Sequence, residues 1–256
     1  MVTNDEQQVS QENPFSAEST PRTVVQPFAR LIAVITDPQA AMRGVAIRGA
    51  WWVPLLVVIA AFVVFYLVAG DVVSDYAAEQ TRERLNEMVV EGRLTQEQAD
   101  QFAARQAGGT ITKIMIMVNP LIASFLIKLI FAALFLLGGN VIFGGNARFG
   151  QYWALLWYAA VIGSIGTVIS SILIAYNGDI HGAQLGLGIL TSGDPTSTAH
   201  KILAVFNVFS IWEAIVAGIG LSVLARISQP KGIGWALVIY LGFGLLTSLL
   251  SGQSWV

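Results

Sequence analysis

The chain has 256 residues, 55% hydrophobic and 12% charged, with a formal net charge of −2 and no cysteine. Soluble domains carry about a quarter charged residues, so an ordinary soluble fold is excluded. The charge balance leaves no basic face for nucleic acid, and the missing thiol excludes disulfides, thiolate catalysis and cysteine-ligated metals.

Residues 1–21 are rich in Gln, Ser and Glu, with Pro14 and Pro21, and predict a disordered tail that cannot bury a core. They hold no apolar run, so the first span is expected to direct its own insertion. Residues 22–50 read as an interfacial amphipathic segment. Phe28, Leu31, Ile32 and Ile35 share one helical face in a stretch too short to span. Asp37-Pro38 closes that helix and opens another, with Asp as N-cap and Pro at N1, which carries Arg43 and Arg48 to the membrane boundary.

Five apolar segments follow: 51–70, 114–137, 152–175, 202–225 and 232–250. Each is close to the twenty residues that cross a bilayer as a helix. Trp51, Trp52 and Tyr66 mark the interfaces of the first. Residues 71–113 lie outside the membrane and hold eight acidic and five basic residues. Two helices are expected there, about Ser74–Gly92 and Gln96–Ala107, the second opened by the capping box Thr95-x-x-Gln98 and stopped at Gly108-Gly109. Asn119-Pro120 introduces the second span, and residues 138–150 form a glycine-rich turn without the Lys-Ser/Thr of a phosphate loop. Residues 251–256 are a short tail. The fold class is therefore all-α: a polytopic membrane helix bundle with five transmembrane helices, an N-terminal interfacial helix and an extramembrane helical hairpin.

Basic residues in the short connections set the orientation. Arg22, Arg30, Arg43, Arg48, Arg148, Arg226 and Lys231 fall on one side, and Lys201 is the one cation of the short loop opposite. The N-terminus is expected in the cytoplasm and the C-terminus outside.

Two charges stand deep within spans, Lys128 in the second and Glu213 near the middle of the fourth. A charge at the bilayer centre costs on the order of 3 kcal/mol on insertion scales. The two helices run in the same direction and place these residues at similar depth. Three arrangements satisfy them: a packing clamp, a proton or ion pathway, or no pair, with Lys128 snorkelling and Glu213 protonated. Small residues form ladders at i, i+4, i+8 for close helix approach: Ala159, Gly163, Thr167 and Ser171 with Gly166 beside them in the third span, and Ala214, Gly218 and Ser222 in the fourth. Gly163, Gly166, Gly218 and Ser222 are the expected helix-packing residues. Asp179, His181, Asp194 and His200 share a loop without compact metal-ligand spacing and read as solvated residues. No serine has a nucleophile motif, so no catalytic residue, cofactor or metal is assigned.

Certain stretches together resemble the Yip domain family of Ypt/Rab-interacting membrane proteins, in its bacterial branch. They are Pro27-Phe-Ala-Arg-Leu-Ile-Ala-Val-Ile-Thr-Asp-Pro38, Gly49-Ala-Trp-Trp-Val-Pro54, Pro120, Phe206-Asn-Val-Phe-Ser-Ile-Trp212, Gly218-Ile-Gly-Leu221 and Lys231-Gly232. The resemblance spans about Pro27 to Leu250. It implies five spans, a cytosolic N-terminus and, for a bacterial member, the plasma (inner) membrane. Eukaryotic members act in vesicle traffic and contact small GTPases through a long N-terminal region. No region of that length stands before Pro27, so a GTPase partner is not carried over. The expected function is a non-enzymatic, membrane-organising or partner-binding module. Its partners are the lipid bilayer and other membrane proteins, a second copy of the chain among the candidates. The alternative is a small transporter or channel using Lys128 and Glu213.

Overall fold

The computed structural model describes residues 26–106, 110–180, 185–191 and 197–250. The expected tails 1–21 and 251–256, the Gly108-Gly109 stop, His181 and Asp194 lie outside them. Among the described residues the protein is helical apart from one isolated antiparallel bridge, between Gly186 and Asn207. Five helices are long and apolar enough to cross a membrane. They are α3 (Trp52–Val90), α5 (Thr110–Leu136), α6 (Phe149–Asn177), α8 (Val208–Ala225) and α9 (Gln229–Leu250). Shorter helices are α1 (Ala29–Thr36), α2 (Pro38–Ile47), α4 (Gln96–Gln106) and α7 (Thr198–Ala204).

The centre of the bundle is α6. Every residue from Tyr152 to Ile162 is buried, as expected of a helix that is apolar all round and surrounded by others. It packs against α1, α2, α3, α5 and α8.

The expected helix breaks fall elsewhere. The first span and the helix drawn at Ser74–Gly92 are one helix of 39 residues, Trp52–Val90. Nothing between Gly70 and Ser74 stops it, since a lone glycine costs only about 1 kcal/mol. Past Gly70, Val72 and Val73 still pack against the buried cluster of Ala69 and Ile174, which keeps α3 beside α6. The hairpin expected outside the membrane is thus an extension of α3 paired with α4. Its second arm begins at the expected capping box, with the Gln98 amide donating to Thr95 Oγ1 at 3.2 Å and the Thr95 amide to Gln98 Oε1 at 2.9 Å.

The fourth span, expected at 202–225, is divided. α7 ends at Ala204, and α8 starts at Val208 with Asn207 as its N-cap, whose side chain accepts from the amides of Phe209 at 2.8 Å and Ser210 at 3.4 Å. The extended backbone between them pairs with residues 185–187, through Leu187 N to Phe206 O at 3.3 Å and Val208 N to Leu185 O at 3.4 Å. Non-helical backbone persists within a membrane domain only where protein satisfies it in this way.

Two further boundaries move. The second span does not end at 137 but runs on as a π-helical turn, Leu137–Ile142. Asn140 then ties the turn together, bonding Ala147 N and O and the Tyr152 hydroxyl at 2.8–3.2 Å. The segment expected to be interfacial is so only in part. α1 exposes Phe28, Ile32 and Ile35 and buries Arg30 and Val34. α2 docks into the bundle against α8, with Ala41, Met42, Gly44 and Val45 buried.

α8 and α9 cross backbone to backbone at glycines. A side chain at Gly218 would strike the backbone of Ile233, and one at Gly232 the carbonyl of Gly218 and the backbone of Ser222. Ser222 is buried here and donates its hydroxyl to Ile219 O at 2.7 Å. Gly234 lies on α9 with open space where its Cβ would be. Gly218→Leu should therefore lower the melting temperature in detergent by the equivalent of about 1–3 kcal/mol or more of overpacking. Gly234→Leu should leave it unchanged, and thermal unfolding of the two purified variants separates a crossing effect from a general intolerance of leucine.

Candidate functional site

Four helices meet at one buried charge pair. Lys128 stands on α5, and its Nζ lies 2.6 Å from Oε1 of Glu213 on α8. The Tyr240 hydroxyl, from α9, donates to the same oxygen at 3.0 Å, and Lys128 Nζ sits 5.9 Å from the centre of the Tyr240 ring. The fourth wall is α6, where a Cβ at Gly163 would overlap Glu213 Oε2. Both charged side chains are only 10% exposed. The carboxylate accepts from an ammonium and a phenol, and these partners supply the hydrogen bonds that burial takes from a charge.

The structure thus brings Lys128 and Glu213 into contact. Because α8 begins at Val208, Glu213 is its sixth residue rather than the midpoint of a longer span. The four packing residues divide between two seams. Gly163 and Gly166 face α8, Gly163 making room for the carboxylate and Gly166 for the Phe209 ring, 2.8 Å from where a Cβ would stand. Gly218 and Ser222 face α9. Tyr240 was not singled out in the sequence, although a tyrosine among the apolar residues of a fifth span is a hydroxyl that needs a partner.

The pair forms the floor of a cavity of about 780 Å³. Its walls come from α5 (Pro120 to Phe131), the start of α8 with the extended residues before it, and α9 (Tyr240 to Ser248). α5 and α9 come together in its wall, where Phe131 packs on Tyr240 and Phe243 at ring distances of 4.8 and 5.3 Å. Further on, Trp235 Nε1 donates to Leu134 O at 3.3 Å. The cavity therefore occupies one half of the seam between these helices and ends at the pair.

A second buried cation lies at the opposite end of the bundle. Arg30 is 1% exposed and donates through Nη1 to Arg48 O at 2.5 Å, with the Tyr158 hydroxyl also in hydrogen-bonding contact. Gly44 of α2 gives it space, for a Cβ there would stand 2.6 Å from Arg30 Nε. Counting Arg30 only as one more positive residue of its side missed this role. Its guanidinium closes the α1–α2 hairpin, and Gln151 Nε2 fastens that hairpin to α6 through Ala46 O at 2.6 Å.

His200 is buried, with Nδ1 at 2.7 Å from Thr191 Oγ1 and its amide capped by Ser197 Oγ at 3.2 Å. Among the described residues no three His, Asp or Glu side chains stand close enough together to hold a metal ion.

Residues 32–251 match the model of the Yip1 domain. The membrane protein YknW of Bacillus subtilis (strain 168) is similar, at 30% identity over 224 residues, covering 87% of this chain and 89% of that protein. No solved structure matches the chain.

Removal of either charge leaves the other buried and unpaired, so Lys128→Met and Glu213→Leu should each cost about 3–5 kcal/mol, and the double variant should recover most of that loss. Unfolding measurements on the cycle give the coupling directly, and strict additivity would deny it. Gly163→Ala provides a second check. Alanine in place of glycine within a helix ordinarily stabilises by about 1 kcal/mol. Here it should destabilise while Glu213 is present, and stabilise once Glu213→Ala has removed the carboxylate.

Proposed function

The chain belongs to the Yip1 domain family, and on that premise we propose that it is a non-enzymatic integral membrane protein that binds a partner protein through its extramembrane hairpin. The observation that carries this reading is the hairpin surface. Val90 is 88% exposed and Phe102 is 50% exposed, one on each arm of the segment that its charged sequence assigns to water rather than lipid. Apolar side chains in water at the tip of a rigid helix are the kind of anchor that partner surfaces use. The exposed face of α1, with Phe28, Ile32 and Ile35, serves the organising half of the role by lying in the bilayer interface.

Orientation decides which compartment the partner occupies. The basic connections put α2, the start of α6 and the turn before α9 in the cytoplasm, and the hairpin outside the plasma membrane of a bacterium. The alternative reading, a transporter or channel, draws on the cavity that reaches Lys128 and Glu213. Against it, the described lining takes in only part of α5 and of α9, and Trp235, bonded to Leu134 O, fills the seam beyond. Conduction would need that seam to open.

Two experiments test the proposal. The chain has no native cysteine, so a single cysteine at Gln98 should react with an impermeant thiol reagent on intact cells and one at Ser228 should not. The opposite pattern would reverse the orientation. A photo-crosslinking residue in place of Phe102 should form one discrete protein adduct in native membranes. The same protein should co-purify with the natural chain and be lost from Val90→Asp with Phe102→Asp, whereas undiminished co-purification would sink the hairpin as the binding surface.

A further inference from the structure

We propose that the cavity between α5, α8 and α9 is a binding site for one anionic membrane lipid, its head at Lys201 and an acyl chain lying in the cavity toward the Lys128–Glu213 floor. The site is independent of the partner-binding reading of the hairpin.

The walls are those of an acyl-chain site. Ile127, Phe131, Val205, Leu241 and Phe243 give a mainly apolar lining, and the volume of about 780 Å³ falls within the range that accommodates ligands of substantial size. The cavity is not sealed, since Pro120 and Ala123 on α5 and Ser210 on α8 both line it and are exposed. In a bilayer the medium at such an opening is hydrocarbon, and an apolar gap there takes a chain rather than water. Water in a cavity needs two to four polar partners each, which these walls do not supply along their length.

The mouth is polar and cationic. Ser248, near the end of α9, donates its hydroxyl to Lys201 O at 2.9 Å, which places Lys201 at the level where the fifth span leaves the membrane. That is headgroup depth. Lys201 is half-buried and lines the cavity, and among the described residues no carboxylate pairs with it. The charged residues of the lining are Lys128, Lys201 and Glu213. Lys128 and Glu213 neutralise each other, so among the described lining residues the charge left over is that of Lys201 at the mouth. Asn207, Ser210 and Thr247 supply further polar groups to the lining. A chain below and one cation at headgroup depth select an anionic head over a zwitterionic one.

The test is native mass spectrometry of the full chain, titrated in neutral detergent with phosphatidylglycerol or with phosphatidylcholine of the same chains. The chain should retain one phosphatidylglycerol, favoured over phosphatidylcholine by about fivefold, the contribution of one lysine near an anionic surface. Lys201→Gln should bring phosphatidylglycerol down to the phosphatidylcholine level and leave the latter unchanged. Ser124→Phe and Ala123→Phe, which fill the cavity from α5, should reduce both lipids alike. Equal retention of the two lipids by the natural chain, a preference that survives Lys201→Gln, or full lipid retention by either filled variant would each overturn the proposal. Displacement of the lipid by glycerol 1-phosphate would also overturn it, by showing a site for a soluble anion. Lys201→Gln changes a half-exposed side chain at the rim and decides the charge requirement whatever the filled variants do.

Discussion

A lysine and a glutamate cannot both stay charged among apolar helices unless they are held together, and that requirement sets the register of this bundle. Lys128 fixes α5 against α8, Tyr240 brings α9 to the same carboxylate, and Gly163 lets α6 approach until it touches the remaining oxygen. Sliding any one of the four by a turn would move it about 5.4 Å and leave a charge or a hydroxyl without a partner. Lipid offers no hydrophobic force to choose among helix registers. A polar contact of this kind can choose, because its alternatives are so costly. Whether such a pair adds net stability is a separate matter, since apolar replacements are often as stable.

Much of the architecture could be read from the residues, and the misses have a common cause. Apolar runs of about twenty residues locate five spans because the bilayer imposes that length. The capping box at Thr95 and Gln98 was visible because both of its bonds are local. What escaped was any boundary decided by tertiary contact. The apolar run continues through Val205 and Phe206, yet the helix breaks before Asn207, where residues 185–187 pair with the chain. Asn207 was the available signal, a residue favoured at N-caps and poorly placed inside a membrane helix. The helix break at Gly70–Ser74 was drawn from the change of polarity, and polarity alone does not end a helix.

The site was legible in the same uneven way. Two charges in apolar segments pointed to each other because each demanded a partner. Gly163 was assigned to helix packing, and its neighbour is a carboxylate. Arg30 was hidden for the opposite reason, standing in a polar-looking segment that the fold then buries. The outcome is a bundle with two unlike ends. At one, the α1–α2 hairpin is locked down through Arg30 and Gln151, and Asn140 ties the π-helical turn to α6. At the other, the cavity opens between α5 and α9, and Leu185 to Leu187 pair with the residues that lead into α8.

The continuity of α3 has a mechanical consequence. Its last twenty residues, Asp71–Val90, extend about 30 Å beyond the expected membrane edge without a hinge. A load on the tip acts as a torque on the span itself, with the shaft as a lever and α6 as the fulcrum. Tilting the shaft shears the α3–α6 contact before it reaches the ion pair, which lies on other helices. Force from outside therefore enters the bundle at its central helix, which several others hold in place.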